Sequence, residues 1–342
     1  MATCDGPVIV VAASAGGFQP LRALISGLPA NLPAAVLVVL HIPASGGSSL
    51  PGILDRAGPL SATAAVDGEP IQPGRVYVAP PNRHLLVIKD TVRISRGPRQ
   101  NGVRPAADPL FRSAALYAGP RVTAVVLSGA LDDGALGCAT VERLGGRVVV
   151  QDPDEAEYGS MPRSAIAVTE HAAVVATRAL SDEVTRLVTG DGGVAAKAPG
   201  PDRELVAEIA GLLDGAPETD TRLRTYSDLT CPDCGGPLYF KNAAELDRAE
   251  TYDCLVGHRW SPDSLFEEQG TAVERALWLS IRSLEERGRL TGKLADAARA
   301  RGHELSARQF SEAAQEARQS ADAIREVVNS MTAEVATASD GA

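Results

Sequence analysis

Aromatic residues make up only 4% of the 342 residues, and bases are outnumbered, 33 Lys and Arg against 43 Asp and Glu, for a formal charge of -10. An acidic chain of this kind lacks the broad positive field of a general nucleic-acid binder. No apolar run reaches the roughly 20 residues that cross a bilayer, so direct membrane insertion is not expected. The first residues lack the basic, apolar and small-residue segments of a secretory signal, and the expected location is cytoplasmic. Cysteine is sparse too, five in all, and three of the five lie between 231 and 254 with a histidine nearby. In a reducing compartment that clustering points to a metal more than to a disulfide. Cys4 and Cys138 stand alone and read as small apolar residues.

What is present is a hydrophobic content of 44%, enough over this length for more than one domain. Strand-like apolar runs over 8–11, 34–40, 62–66, 76–79, 85–88, 92–94, 122–127, 148–150 and 173–176 alternate with helical patterns over 20–27, 50–57, 109–117, 135–144 and 181–188. The alternation predicts an α/β fold with a doubly wound, mostly parallel sheet over 1–189. Short runs between 77 and 95, joined by Pro80-Pro81-Asn82-Arg83 and Lys89-Asp90, predict an antiparallel hairpin beside it.

Residues 190–204 are rich in Gly, Ala and Pro and read as a linker. A short amphipathic helix over 205–213 then leads the cysteine-containing module, which extends to about 265. Two apolar stripes follow, Val273, Leu277, Ile281, Leu284, Leu294 and Phe310, Ala314, Ala317, Ala321, Ile324, Val328. With a turn at Gly302-His303 they predict an antiparallel helical hairpin over 266–331. It either packs on itself or offers a face for homo-oligomerisation. A disordered tail is expected over 332–342.

The chemistry starts at Val8-Ile9-Val10-Val11-Ala12-Ala13-Ser14-Ala15-Gly16-Gly17-Phe18, a buried strand, a small-residue turn and a helix start. Either the glycines let the turn cradle a phosphate or nucleotide, with Ser14 helping to bind it, or Ser14 is a nucleophile. His41 ends the run Ala35–Leu40, and Asp132 and Asp133 follow Ala124–Gly129. In a parallel sheet such strand ends share one edge. A serine, a histidine and an aspartate there support nucleophilic hydrolysis. Either aspartate can orient the imidazole or cap the following helix.

Six stretches occur in order: Ala13-Ser14-Ala15-Gly16-Gly17, His41-Ile42-Pro43, Tyr77-Val78-Ala79-Pro80-Pro81, Asp108-Pro109-Leu110-Phe111-Arg112-Ser113-Ala114-Ala115, Leu127-Ser128-Gly129-Ala130-Leu131-Asp132-Asp133-Gly134-Ala135 and Met161-Pro162-Arg163-Ser164-Ala165. Together they resemble the catalytic domain of the chemotaxis protein-glutamate methylesterases, the CheB family, over about 6–190. The resemblance implies hydrolysis of glutamyl methyl esters on methyl-accepting receptor proteins with release of methanol, and in some members deamidation of glutamines. It implies Ser14 as nucleophile, His41 as general base and Asp133, which directly precedes Gly-Ala, as the orienting acid. Asp132 is then a solvated neighbour or a cap. Gly16, Gly17, Gly129 and Ala130 form the oxyanion and substrate loop, with the Ala130 N–H the leading donor. No cofactor is needed for the ester step. Arg112 and Arg163 either hold acidic surroundings of the substrate or form salt bridges.

Three departures stand out. The turn reads Ala12-Ala13-Ser14 where the family commonly has Gly-Ala-Ser. Ala15 replaces a threonine of some relatives, and Gly129-Ala130-Leu131 replaces Gly-Met-Gly. Only about seven residues precede the first strand, so control by a receiver domain within this chain is not expected.

Cys231-Pro232-Asp233-Cys234-Gly235-Gly236 and Cys254-Leu255-Val256-Gly257-His258 have the spacing of a zinc ribbon. Cys231, Cys234, Cys254 and His258 would close a structural tetrahedral zinc site; a redox CxxC is the alternative. The acidic surroundings disfavour a nucleic-acid finger. The segment 227–262 resembles ribbons appended to some methylesterase-like proteins. A second functional reading is a non-catalytic signalling scaffold that binds a partner through the zinc and helical module.

Overall fold

The computed structural model describes residues 6–43, 47–190, 202–214, 225–241 and 250–339. Cys4, most of the expected linker (191–201) and residues 340–342 lie outside them. The chain divides into two compact units, 1–265 and 266–342.

The first unit is built on seven strands: β1 (Val8–Ala13), β2 (Ala35–Leu40), β3 (Ser61–Ala64), β4 (Arg75–Val78), β7 (Val122–Val126), β8 (Arg147–Gln151) and β9 (Ala173–Val175). Their order is β3-β4-β2-β1-β7-β8-β9. Every pairing in this sheet is parallel. The expected antiparallel hairpin, β5 (His84–Ile88) and β6 (Thr91–Ser95), forms a separate two-stranded sheet.

Alternation along β1 explains the layering. Val8, Val10 and Ala12 face one core, shared with α3 (Ala107–Ala118) and α4 (Ala135–Arg143). Ile9, Val11 and Ala13 face the other, with α1 (Phe18–Gly27), α2 (Leu50–Ala57) and α6 (Leu180–Thr189). A central strand buried on both faces reads as one continuous apolar run, as β1 does.

Two helices differ from the sequence expectation. α5 (Ser160–Val168) covers a stretch read only as a motif; it begins after Gly159, carries Pro162 and buries Met161 and Ala165. α7 (Arg203–Asp214), expected to lead the cysteine module, instead buries Leu205, Ile209 and Leu212 in the α/β core.

A four-stranded antiparallel sheet follows: β10 (Thr225–Thr230), β11 (Pro237–Lys241), β12 (Thr251–Cys254) and β13 (Arg259–Trp260). Its small core, Cys231, Leu238, Cys254, Trp260 and Leu265, is its own. A buried ion network joins it to the α/β core. Glu208 of α7 meets Arg112 of α3 at 2.6 Å and Arg259 of β13 at 2.7 Å, and Arg259 also holds Asp253 at 2.8 Å. This sheet therefore shares a compact unit with the α/β core rather than standing alone.

The second unit holds most of α8 (Pro262–Ala300) and all of α9 (Glu304–Ser339). Ile281 packs with Ala321 and Val328, and Arg325 meets Glu285 at 2.6 Å, the pattern of antiparallel helices. Helix α9 reaches Ser339, so the expected disorder from 332 is corrected for 332–339: the alanine- and glutamate-containing end sustains the helix. Among the described residues no helix is long and apolar enough to cross a membrane.

Candidate active site and candidate metal centre

Strand order reverses between β1 and β7, and the crevice at such a reversal is where parallel sheets bind ligands. Backbone ladders carry the pairing one residue past the strands: His41 N donates to Ala13 O at 3.0 Å and Ser14 N to Ser128 O at 3.0 Å. Ser14 is thereby fixed between the ends of β2 and β7. Its Oγ lies 3.0 Å from His41 Nδ1, and His41 Nε2 lies 2.8 Å from Asp133 Oδ2. With Nε2–H donating to the carboxylate, Nδ1 keeps a lone pair toward the Ser14 hydroxyl. The arrangement can deprotonate Ser14 as it attacks a carbonyl and hold the resulting imidazolium.

Asp133 is buried, and burial alone would raise its pKa, but bonds from His41, Ala107 N and Asp108 N hold it below the usual range. The N–H groups of Ala107 (2.5 Å) and Asp108 (3.3 Å) belong to the first turn of α3, whose dipole favours the carboxylate. Asp132 is neither cap nor freely solvated: Gly134 precedes α4, and the Asp132 carboxylate accepts Ser261 Oγ at 2.8 Å. Burial pushes its pKa up to about 6.

The predicted oxyanion loop divides. Gly17 N donates to Ser14 O at 2.9 Å and Gly129 N to Tyr158 O at 3.0 Å, so neither N–H is free for a substrate. Among the described residues no acceptor takes the N–H of Gly16 or Ala130. Gly129 has another reason to be glycine, since an added Cβ would lie 2.9 Å from Ser14 Cβ. Leu131, where relatives commonly have glycine, keeps the left-handed conformation at φ 62°.

Sequence reasoning passed over the residues that shape this loop. Buried Ser128 donates to Ala15 O at 2.9 Å and accepts Tyr158 N at 3.0 Å, and its own N–H meets Gln151 Oε1 at 2.8 Å. Asn101 Nδ2 reaches Asp133 Oδ1 at 3.4 Å and Asp108 Oδ2 at 3.3 Å. Its left-handed φ of 51°, which asparagine tolerates, follows from the Asn-Gly dipeptide that could have marked the turn. Arg112 is buried and paired with Glu208 at 2.6 Å, the salt-bridge alternative, whereas Arg163 lies 3.4 Å from Asp154 at the surface. Beside His41 opens a cleft of about 150 Å³ whose lining includes Arg99 and Arg104. Burial, then neighbouring Arg99, Arg83 and Arg96, lowers the Arg104 pKa, which marks a cationic rim on an acidic protein.

The second constellation lies at the two turns of the small sheet. Donor atoms of Cys231, Cys234, Cys254 and His258 all fall within 4.8 Å of one another. Cys234 Sγ to Cys254 Sγ is 3.7 Å, and His258 Nδ1 lies 3.7 Å from Cys231 Sγ and 3.5 Å from Cys254 Sγ. Tetrahedral bonds of about 2.3 Å to sulfur and 2.0 Å to nitrogen put such donors roughly 3.5–3.8 Å apart, so the set could hold a metal ion. Asp233 lies 3.8 Å from the other ring nitrogen of His258, a place for an outer carboxylate. The buried Trp260 indole N–H has no ordinary acceptor, and with Cys254 and His258 it favours the thiolate of Cys231. Cys138 is buried far from this cluster's chemistry, its thiol pushed up by burial.

The model of the CheB methylesterase family matches residues 9–184. A protein-glutamate methylesterase/protein-glutamine glutaminase of Myxococcus xanthus is 40% identical over 188 residues, 55% of this chain and 53% of its own. A Leptospira interrogans protein whose name gives the same two activities is 38% identical over 180 residues, covering 52% of this chain and 93% of that one. The chain spans about half the length of several curated relatives it matches. The crystal structure of the Thermotoga maritima CheB methylesterase catalytic domain aligns with TM-score 0.50 and 32% identity, over 54% of this chain and 99% of that one. With the family model matching just over half of its residues, the chain belongs to the CheB methylesterase family.

Proposed function

We propose that this protein is a serine hydrolase that demethylates glutamyl methyl esters on a methyl-accepting, receptor-type protein and deamidates glutamines at equivalent positions. The observation that carries the reading is the continuous chain Ser14 Oγ, His41, Asp133, with links of 3.0 and 2.8 Å at the switch point of the sheet.

Ser14 attacks the ester carbonyl while His41 Nδ1 takes its proton and Asp133 stabilises the imidazolium. The tetrahedral oxyanion is met by the uncommitted N–H groups of Ala130 and Gly16. As the tetrahedral intermediate collapses, the imidazolium gives its proton to the departing methoxide oxygen, or to the amide nitrogen of a glutamine, so that methanol or ammonia leaves, and water hydrolyses the acyl-serine through the same histidine. The cationic rim of Arg83, Arg96, Arg99 and Arg104 suits a substrate with carboxylates around the reacting side chain. No metal takes part in these steps.

Cys231, Cys234, Cys254 and His258 hold one structural zinc, which fixes the two turns of the small sheet. The four protein donors leave no position for a reacting water. The C-terminal helices serve docking or self-association, and the protein works in the cytoplasm.

The test is methanol release from a glutamyl-methylated receptor-type protein. Wild type releases methanol and Ser14→Ala does not. Equal release by both would refute the reading.

A further inference from the structure

The loop that carries Asn101 is held by residues outside the family match. Asn101 N donates to Arg259 O at 2.8 Å, and Gln100 Nε2 to Gly257 O at 3.0 Å. Gly102, at φ 71°, lies so close to the Trp260 ring that an added Cβ would sit 3.1 Å from it. The Asn101 side chain is then gripped from one end. Its Oδ1 accepts Ser261 N at 3.0 Å and lies 3.1 Å from Ser264 Oγ.

With Oδ1 among donors, Nδ2 is fixed toward the two carboxylates, Asp133 and Asp108. The network itself therefore assigns the amide orientation. Ser261 also reaches the loop of the catalytic aspartate, its Oγ donating to Asp132 at 2.8 Å and capping α8 by accepting Ser264 N at 3.1 Å. Both serines and Arg259 lie beyond residue 184, where the family match ends.

Asp133 has four donors around it, and three are inherent to the α/β core: His41, Ala107 N and Asp108 N. Asn101 supplies the fourth. It shares Oδ1 with Asp108 N, while Oδ2 takes the imidazole and Ala107 N, and it bridges Asp133 to the neighbouring Asp108 carboxylate. Burial and the charge of Asp133 raise the Asp108 pKa well above normal, a sign of how closely these acids are packed. Without Asn101, Oδ1 is held by Asp108 N at 3.3 Å, and a carboxylate with one oxygen held that weakly can rotate about its terminal torsion and misdirect the imidazole.

We propose that Asn101 is a positioning residue for the catalytic aspartate and that the C-terminal extension, through Ser261 and Ser264, holds it in register. The esterase of this chain is thus completed by a segment that lies beyond the family match. The inference rests on the esterase reading given above.

The experiment measures kcat and KM of the chain on a small activated ester, for wild type, Ser14→Ala, Asn101→Ala, Asn101→Asp, Ser264→Ala and Asn101→Ala/Ser264→Ala, with thermal melting of each. Asn101→Asp keeps the acceptor toward Ser261 and Ser264 but turns the donor into a third carboxylate. A role confined to stapling the loop therefore spares it, whereas positioning of Asp133 does not. The expected result is a kcat loss of roughly ten- to a hundredfold for Asn101→Asp and Asn101→Ala, with KM nearly unchanged. Ser264→Ala removes the hydroxyl contact to Asn101 Oδ1 and leaves the Ser261 N–H in place, so it loses less alone and adds nothing to Asn101→Ala when combined. Ser14-dependent turnover with Asn101→Asp within about twofold of wild type overturns the inference alone. Turnover that survives Ser14→Ala, or none in wild type, overturns the esterase reading and the inference together.

Discussion

Replacing Glu208 by glutamine should loosen the junction between the small sheet and the α/β core. The Glu208 side chain is 13% exposed and receives two arginines, Arg112 with 3% and Arg259 with 9% of its side chain exposed. Burial opposes the charge, yet the two guanidiniums outweigh it and hold the Glu208 pKa at about 2 against an ordinary 4.5. That difference corresponds to about 3 kcal/mol of stability from the ionised form. The value matches the ~3–5 kcal/mol lost when one member of a buried ion pair is removed.

Glutamine mimics the protonated side chain, so Glu208→Gln should cost about 3 kcal/mol at pH 7, or roughly 6–12 °C in melting temperature for a unit of this size. Trp260, adjacent to Arg259 and 1% exposed, reports the melting by fluorescence. Because the folded pKa is depressed, the stabilisation is complete above pH 4.5 and drains away as pH falls toward 2. The gap between wild type and Glu208→Gln should therefore hold steady down to pH 4.5 and close below it. A gap under about 1 kcal/mol at pH 7, or one that does not narrow in acid, refutes this account of the junction.

His84 predicts a second acid effect. It is fully buried, 3.0 Å from Pro98 O, and burial lowers its pKa to about 4. The unfolded chain takes its proton first, so stability falls as pH drops from 6.5 toward 4, by up to about 3 kcal/mol. Urea titrations across that range should show the slope, and an NMR titration of His84 should place its midpoint near 4. Leu131→Gly removes a left-handed leucine, worth ~1–2 kcal/mol, and restores the chain entropy of glycine. A net gain of about 0.5–1 kcal/mol is expected in urea denaturation, and a loss would show that the leucine side chain holds the loop. Elemental analysis should find about one zinc per chain, and Cys234→Ser should lower its affinity and the melting temperature of the Trp260 signal; metal-free protein with an intact small sheet contradicts the zinc assignment.

The doubly wound core could be read because its strands are continuous apolar runs and its helices amphipathic. Ser14 and His41 were visible because each sits at the end of such a run; Asp132 and Asp133 both followed a third run, and the family resemblance singled out Asp133, which the structure brings within hydrogen-bonding distance of His41. The four metal-ligand candidates were visible from spacing alone, and their donor atoms do converge. Three things were hidden. Helix α5, which opens after Gly159 and carries Pro162 near its start, was read only as a motif. Gly17 and Gly129 could not be told from Gly16 and Ala130 as oxyanion donors, because their N–H groups are taken by acceptors the sequence does not reveal, Gly129's by Tyr158 about thirty residues on. Asn101 is one polar residue in a loop, and its meaning depends on Ser261, 160 residues away. Pairings at such separation leave no local pattern.

The central claim is that Ser14 forms a covalent acyl intermediate with His41 as its base. The most direct measurement is the mass of the intact chain after an acid quench of its reaction with p-nitrophenyl acetate, followed by peptide mapping. The account predicts one acetyl group per chain, carried on Ser14 and absent from Ser14→Ala. An acetyl group on another residue, or hydrolysis of the ester with Ser14 left unmodified and replaceable, would contradict it.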